Sequence, residues 1–299
     1  MTASEDNAND ENGRARVRST RPRTGGQARA VRTKQLAQEE GTRPTASADR
    51  PPTGATTLSI DVGGSHLKAS VLDQTGRMET TRVRAPTTYP LSPKALVKTL
   101  MDLVEPLPGY DRISVGFPGV VRAGRVLTAP HFVKLRGPGT KVDDQLVQAW
   151  SGFDLAGALK GALDRPCRVA NDADLQGAAV VQGKGLELVV TLGTGVGTGL
   201  FWNGHLAPHL ELAHHPFRRG ETYNQQLGKA ARKRIGTKHW RKRVNLAIDT
   251  LHALLNYDQL YIGGGGSARL TGHVAKGITL VDNKAGILGG LKLWEGHVL

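Results

Sequence analysis

Three short glycine runs concentrate the chemistry of this 299-residue sequence. They read Asp61-Val62-Gly63-Gly64-Ser65, Thr191-Leu192-Gly193-Thr194-Gly195-Val196-Gly197 and Gly263-Gly264-Gly265-Gly266-Ser267, and each follows a β-rich stretch. Without a Cβ, successive backbone N–H groups can converge on an anion such as a phosphate. One such run alone reads equally well as a plain strand-end turn. The standard nucleotide signatures do not account for them. Gly177 to Lys184 is one residue too long for a P-loop, with Gly185 where Ser or Thr would meet magnesium. Gly263-x-Gly265-x-x-Ala268 fits a dinucleotide fingerprint, yet four successive glycines are unusual there. Asp172, within Asn171-Asp172-Ala173-Asp174, reads on its own residues as a helix N-cap before Ala173–Val181. His205, His209, His214 and His215 fit no usual zinc spacing, and loop histidines serve more often as polar surface or substrate contacts.

These residues need elements to hold them. Thr57–Val62 and Ala69–Asp73 predict a hairpin around the first glycine turn. Ser92-Pro93, followed by Ala95, Leu96, Val97, Leu100, Met101, Leu103 and Val104, predicts a serine-capped helix with proline at its first position. Arg112–Phe117 predicts a strand ending at Pro118-Gly119. Ser151 with Asp154 resembles a capping box ahead of Leu155, Leu159 and Leu163. Arg168–Ala170, Glu187–Leu192, Gly199–Trp202, Gln259–Ile262 and Ile278–Val281 predict further strands. Thr237 opens a helix with Trp240, Val244, Ala247, Leu251 and Leu254 along one face. The order is that of an α/β protein with two lobes of ordinary size, over about 240 residues.

Composition narrows the class. No stretch approaches the ~18 apolar residues of a membrane helix. The single Cys167 allows neither an internal disulfide nor a multi-cysteine zinc site, and points to a reducing compartment, the cytoplasm. The start, MTASEDNANDE, is acidic and fits neither a secretory signal nor a transit peptide. Net charge is +14, from 40 Lys and Arg against 26 Asp and Glu. Residues 1–56 are nearly balanced and poor in large apolar residues, which predicts a disordered tail. The basicity gathers between His215 and Asn245, where Arg218, Arg219, Lys229, Arg232, Lys233, Arg234, Lys238, Arg241, Lys242 and Arg243 face one acid, Glu221. A charge run of this kind is commonly a solvated helix face.

The motifs together resemble the ROK (repressor, open reading frame, kinase) sugar kinases. Asp61–Ser65, Asn171–Asp174, Leu192–Gly195, Glu211-Leu212-Ala213-His214, Gly263–Ser267 and Asn283–Gly290 stand in the order and at about the spacing of that family, over residues 57–299. The Gly63-Gly64-Ser65-x-x-Lys68 form, the Val115–Val121 run around Gly119, and the Lys/Arg-rich stretch through Lys238–Asn245 resemble its polyphosphate-using glucokinase and glucomannokinase branch. The resemblance implies a two-lobed actin/hexokinase-like (ribonuclease H-like) fold. Residues 57–170 would form an amino-terminal lobe, completed by the last fifteen or so residues, and 171–284 a carboxy-terminal lobe.

It implies phosphoryl transfer from polyphosphate or ATP, with Mg²⁺, to the 6-hydroxyl of glucose or mannose. In that context Asp172 becomes the general base rather than a cap. Asn171, Glu211, His214 and Gly119 would contact the sugar. Asp61 would orient magnesium through water, and Gly63, Gly64, Ser65, Lys68, Gly193, Thr194, Gly195, Gly264 and Gly265 would meet the donor. Lys68 reads as well as a solvated strand-edge lysine. Ala213 stands where the family has glycine, and its Cβ is expected to tilt the sugar loop. A polyphosphate chain rewards a long basic track, which Lys229, Arg232, Lys233, Lys238, Arg241 and Lys242 would supply. The family implies a homodimer, no structural zinc in this branch, and no nucleic-acid or membrane partner. An ATP-only hexose or amino-sugar kinase, and a non-catalytic polyanion binder, are the alternatives.

Overall fold

Apolar alternation draws Thr57–Val62 (β1) and His66–Leu72 (β2) into an antiparallel hairpin. The computed structural model describes residues 54–137, 140–281 and 285–295, all within the unit Arg50–Leu299. The tail expected over residues 1–56 lies outside the described residues up to Thr53, as do Asn283 and Lys284. Val83–Pro86 (β3) adds antiparallel to β2, while Arg112–Phe117 (β4) and Cys167–Asn171 (β5) add in parallel beyond β1. The sheet order is β3-β2-β1-β4-β5.

A second sheet repeats this plan. Leu186–Leu192 (β6) and Val196–Trp202 (β7) form its hairpin, and His205–Leu206 (β8) extends it antiparallel. Gln259–Gly263 (β9) and Ile278–Leu280 (β10) add in parallel, giving β8-β7-β6-β9-β10.

Parallel neighbours require crossovers, which helices supply. Pro93–Val104 (α1) links β3 to β4, with the Ser92 hydroxyl accepting from the Ala95 N–H as expected. Asp144–Trp150 (α2), which sequence reading missed, and Leu155–Leu163 (α3) lie between β4 and β5. Ser151 closes α2 and does not open α3. Phe153-Asp154 first pairs as a short strand with Arg125-Val126, so the chain stays extended until Asp154, which caps α3 through the Gly157 N–H at 2.8 Å. Asp172–Ala178 (α4) follows β5 directly. Tyr223–Leu227 (α5) and Lys229–Leu255 (α6) lead from the second hairpin to β9.

α6 begins before Thr237 and is bent at Gly236, whose φ of 77° is not helical. Past the bend, Trp240, Val244, Ala247 and Leu251 are buried as expected, but Leu254 is 65% exposed. A helix drifts by about 20° per heptad from a strict seven-residue repeat, so Leu255 meets the core in the last turn instead.

The central helices exchange sheets. α4 leaves the first sheet yet packs on β6 and β7, and Ala285–Lys292 (α7) leaves the second sheet yet packs on β1, β4 and α4. At their crossing a Cβ on Gly289 would lie 1.7 Å from the Leu175 carbonyl oxygen. Beyond α7, the Trp294 indole donates to Ser114 Oγ at 2.9 Å and stacks under the Arg168 and Arg112 guanidinium groups. Among the described residues no helix is long and apolar enough to cross a membrane.

Candidate active site

β1, β4 and β5 lie side by side, and residues at their carboxyl ends line one cleft of about 400 Å³. Asp61 comes from β1, Gly116 from β4 and Asp172 from the start of α4; Lys68, Ser70, Arg82 and Gln176 complete its polar wall. The expected cap at Asp172 belongs instead to Asn171. That residue is still extended, paired in register with Phe117, and its Oδ1 accepts from the Ala173 and Asp174 N–H groups at 2.7 and 3.4 Å. Its Nδ2 donates to the Gly119 and Phe117 carbonyls at 2.9 and 3.4 Å. The whole Asn171 amide is therefore used to hold the Pro118-Gly119 turn against α4.

Asp172 is thereby released to face the cleft. Burial and then the Asp61 charge push its carboxyl up to about 7, with Asp174 adding to the rise and the Ala173 N–H and His209 opposing it. Asp61 pairs with Lys68 across the hairpin at 2.8 Å, both partly exposed. The Gly63-Gly64-Ser65 turn is tied down through its carbonyls. Gly63 accepts from Thr87 Oγ1 and Gly64 from the Tyr89 hydroxyl, each at 2.7 Å.

The loop over 207–215 brings a second group of residues together. Glu211 is half-buried, and its Oε1 accepts from the Ala213 N–H at 3.2 Å. Ala213 is buried but does not adopt a positive φ, so its Cβ adds no left-handed strain to the loop. His214 is exposed. His131, which sequence reading missed, lies against the first glycine turn; a Cβ on Gly64 would be 3.4 Å from its ring. Burial and His214 lower the His131 pKa, while Glu211 acts the other way. Only its place after Ala129-Pro130 marked it in sequence, and no spacing rule connects it with Glu211. His209 of the histidine cluster and Asp174 of the Asn171–Asp174 motif form a buried contact at 2.9 Å that no spacing linked in sequence.

The second and third glycine runs meet at another pocket, of about 280 Å³, lined by Gly193, Thr194, Gly265, Gly266, Lys229, Arg232 and Arg269. Gly266 N–H donates to the Leu192 carbonyl at 2.8 Å, and Lys229 N–H donates to that of Gly193 at 3.0 Å. Gly264 takes a φ of 80°, with no room for a Cβ beside Leu192. The Asn224 side chain, which no motif singled out, braces Gly195-Val196 by accepting from the Val196 N–H at 2.9 Å. This lining holds three cationic side chains and no carboxylate. The basic track expected from the sequence is divided here. Lys229 and Arg232 line the pocket, and Arg241 braces it by donating to the Arg269 carbonyl at 2.6 Å. Lys233, Lys238 and Lys242 are exposed and line no part of it.

The duplicated β3-β2-β1-β4-β5 plan, with helices exchanged at its centre, is the actin/hexokinase-like fold. The ROK family profile matches residues 57–209. A polyphosphate glucokinase of Mycobacterium tuberculosis (strain H37Rv) is 31% identical over 249 residues, covering 79% of this chain and 87% of that protein. The crystal structure of an inorganic polyphosphate/ATP-glucomannokinase from Arthrobacter sp. strain KM aligns with a TM-score of 0.66 at 26% identity, covering 81% of this chain and 98% of that one. An N-acetylmannosamine kinase of Escherichia fergusonii is 33% identical over 159 residues, covering 50% of this chain and 49% of that protein. The chain belongs to the ROK family.

Proposed function

We propose that this protein is a sugar kinase that transfers the terminal phosphoryl of polyphosphate or ATP to the 6-hydroxyl of a hexose, glucose first and mannose second. The observation that carries this reading is Asp172, a carboxylate with its pKa raised to about 7, in one cleft with Asp61 and Lys68. A base of that pKa is matched to near-neutral pH. As the sugar oxygen forms its bond to the terminal phosphorus, the bond from phosphorus to the bridging donor oxygen breaks. The hydroxyl proton passes to the Asp172 carboxylate, and the donor leaves as ADP or as a shortened polyphosphate.

Glu211 and His214 hold the sugar hydroxyls, and His131 closes that subsite from the first lobe. The backbone of Thr194 and Gly265 receives the donor phosphates, with Lys229, Arg232 and Arg269 offsetting their charge, while the Gly193 and Gly266 N–H groups tie the two turns to the Gly195 and Leu192 carbonyls. The residues also fit the expected Mg²⁺. No group of three or more His, Cys, Asp or Glu side chains among the described residues forms a metal cage. A magnesium ion that keeps its waters needs only one or two carboxylates beside the donor phosphates, and Asp61 offers one with 53% of its side chain exposed. When bound, the ion would neutralise charge on the transferring group.

The test is direct. Purified protein is given Mg²⁺, one of glucose, mannose or N-acetylmannosamine, and either ATP or polyphosphate, and sugar 6-phosphate is followed. Hexose 6-phosphate from glucose or mannose is expected. Turnover of N-acetylmannosamine alone would replace the hexose reading by an amino-sugar one, and no product with any pair would overturn the kinase.

A further inference from the structure

His209 is a full-length ionisable side chain in a place where charge is expensive. Its side chain is only 4% exposed and that of Asp174 only 3%. Its Nδ1 lies 2.9 Å from Asp174 Oδ2, and its Nε2 lies 3.8 Å from Glu211 Oε2. A neutral imidazole carries one N–H, so either tautomer would aim a lone pair at one of these carboxylates. The Asp174 contact is a hydrogen bond, the longer Glu211 contact an ion pair, and only the doubly protonated ring serves both. Asp174 Oδ1 is buried without a hydrogen-bond partner among the described residues, so the contact to His209 is what compensates this carboxylate. The ionisable groups that act on the ring are Asp174 and Asp172 from α4 and Glu211 from its own loop. Burial opposes its charge, but the two carboxylates in contact with it prevail and raise it to about 9.

We propose that His209 is a positioning residue for the sugar subsite: its imidazolium bridges Asp174 and Glu211, and so fixes the Glu211 carboxylate relative to the helix that presents Asp172. The bridge joins two parts of the site that the backbone leaves separate. Asp174 sits two residues beyond the base on α4, and Glu211 sits on a loop fastened beside it by the Thr198 hydroxyl donating to the Leu210 carbonyl and by the Asn224 N–H donating to the Ala213 carbonyl at 3.0 Å, neither of which reaches α4. Without the ring charge, the Glu211 carboxylate keeps only its local bond from the Ala213 N–H at 3.2 Å and is no longer tied to α4, while the donor pocket around Lys229 and Arg232 is untouched. The inference rests on the assignment of Glu211 to the sugar.

The experiment compares wild type, Glu211→Gln and His209→Gln, with KM for sugar and donor measured separately. His209→Gln keeps an N–H donor and removes the charge. The sugar KM is expected to rise about tenfold or more while the donor KM changes less than about twofold, since a small misplacement of a binding group is costly. A folded His209→Gln protein with an unchanged sugar KM, or with both KM values raised alike, would overturn the proposal. A second arm needs no variant: in ¹⁵N-histidine-labelled wild type at neutral pH, both His209 ring nitrogens should carry protons, and a neutral tautomer would equally overturn it. Failure of the functional reading looks different, because wild type would then phosphorylate no sugar. Failure of this inference alone is an active wild type, a raised sugar KM in Glu211→Gln and a normal one in folded His209→Gln.

Discussion

As the proposed base, Asp172 answers two opposed demands. A base must be ionised to accept a proton, yet burial and the Asp61 charge hold its carboxyl up at about 7. The rate should therefore climb as pH rises through about 7 and level off above it, because only the deprotonated form accepts the hydroxyl proton. A pH–rate profile for kcat/KM of the sugar checks this, and a profile flat across that range would remove Asp172 from the role. Asp172→Asn should lower kcat by about 10²- to 10⁴-fold, the usual worth of a general base. The same group bears on stability. Its folded pKa lies above the unfolded value of 3.8, so the folded state holds an extra proton between the two, stability falls as pH rises from 3.8 to about 7, and the full penalty is present above that. Asp172→Asn should thus raise Tm on the alkaline side of 7 and leave it nearly unchanged near pH 4, read by thermal unfolding at both values.

At the scale of elements, the α4–α7 crossing and the bend in α6 position what the residues do. α7 can lie on α4 only because Gly289 has no side chain; a Cβ there meets backbone, which cannot swing aside. Gly289→Ala should cost about 3 kcal/mol, at the upper end for overpacking, measured by urea unfolding. Gly236 is different. Nothing crowds it, but its φ of 77° strains any other residue. Gly236→Ala should cost about 1 kcal/mol. It should also favour a straighter α6, which carries Lys229 and Arg232 before the bend and Arg241 after it. A raised donor KM with an unchanged sugar KM is the expected signature.

For the whole molecule, part of the +14 charge is gathered into a local arrangement. Lys229, Arg232 and Arg269 surround a glycine-lined pocket, and Arg241 supports it from behind. A long polyanion releases more counterions on binding than a nucleotide does, so polyphosphate-dependent turnover should fall more steeply with added salt than ATP-dependent turnover. Reversing the exposed Lys238 and Lys242, which lie outside the pocket, to glutamate should likewise lower the polyphosphate-dependent rate more than the ATP-dependent one. Equal losses, or parallel salt profiles, would count against a polyphosphate track. The two sheets share one strand order and exchange the helices that follow them, so the α4–α7 crossing packs against both.

Sequence by itself determined what short-range physics controls. β1 and β4 begin and end where alternation and the following Gly or Pro place them, the Ser92 cap holds α1, and the three glycine turns sit at strand ends. The order of those motifs was enough to indicate the family, and the basic segment was visible as a count of charges. Tertiary structure decided which of these groups meet. It moved the cap from Asp172 to Asn171 and split the basic run between pocket and solvent. It also joined Arg269 to Lys229, His131 to the first glycine turn, and His209 to Asp174 and Glu211. None of these contacts has a periodicity or spacing to reveal it, because each joins segments brought together only by the packing of sheets and crossing helices. The raised pKa of Asp172 shows the same limit: it depends on desolvation in the folded cleft and on Asp61, a charge from a distant strand.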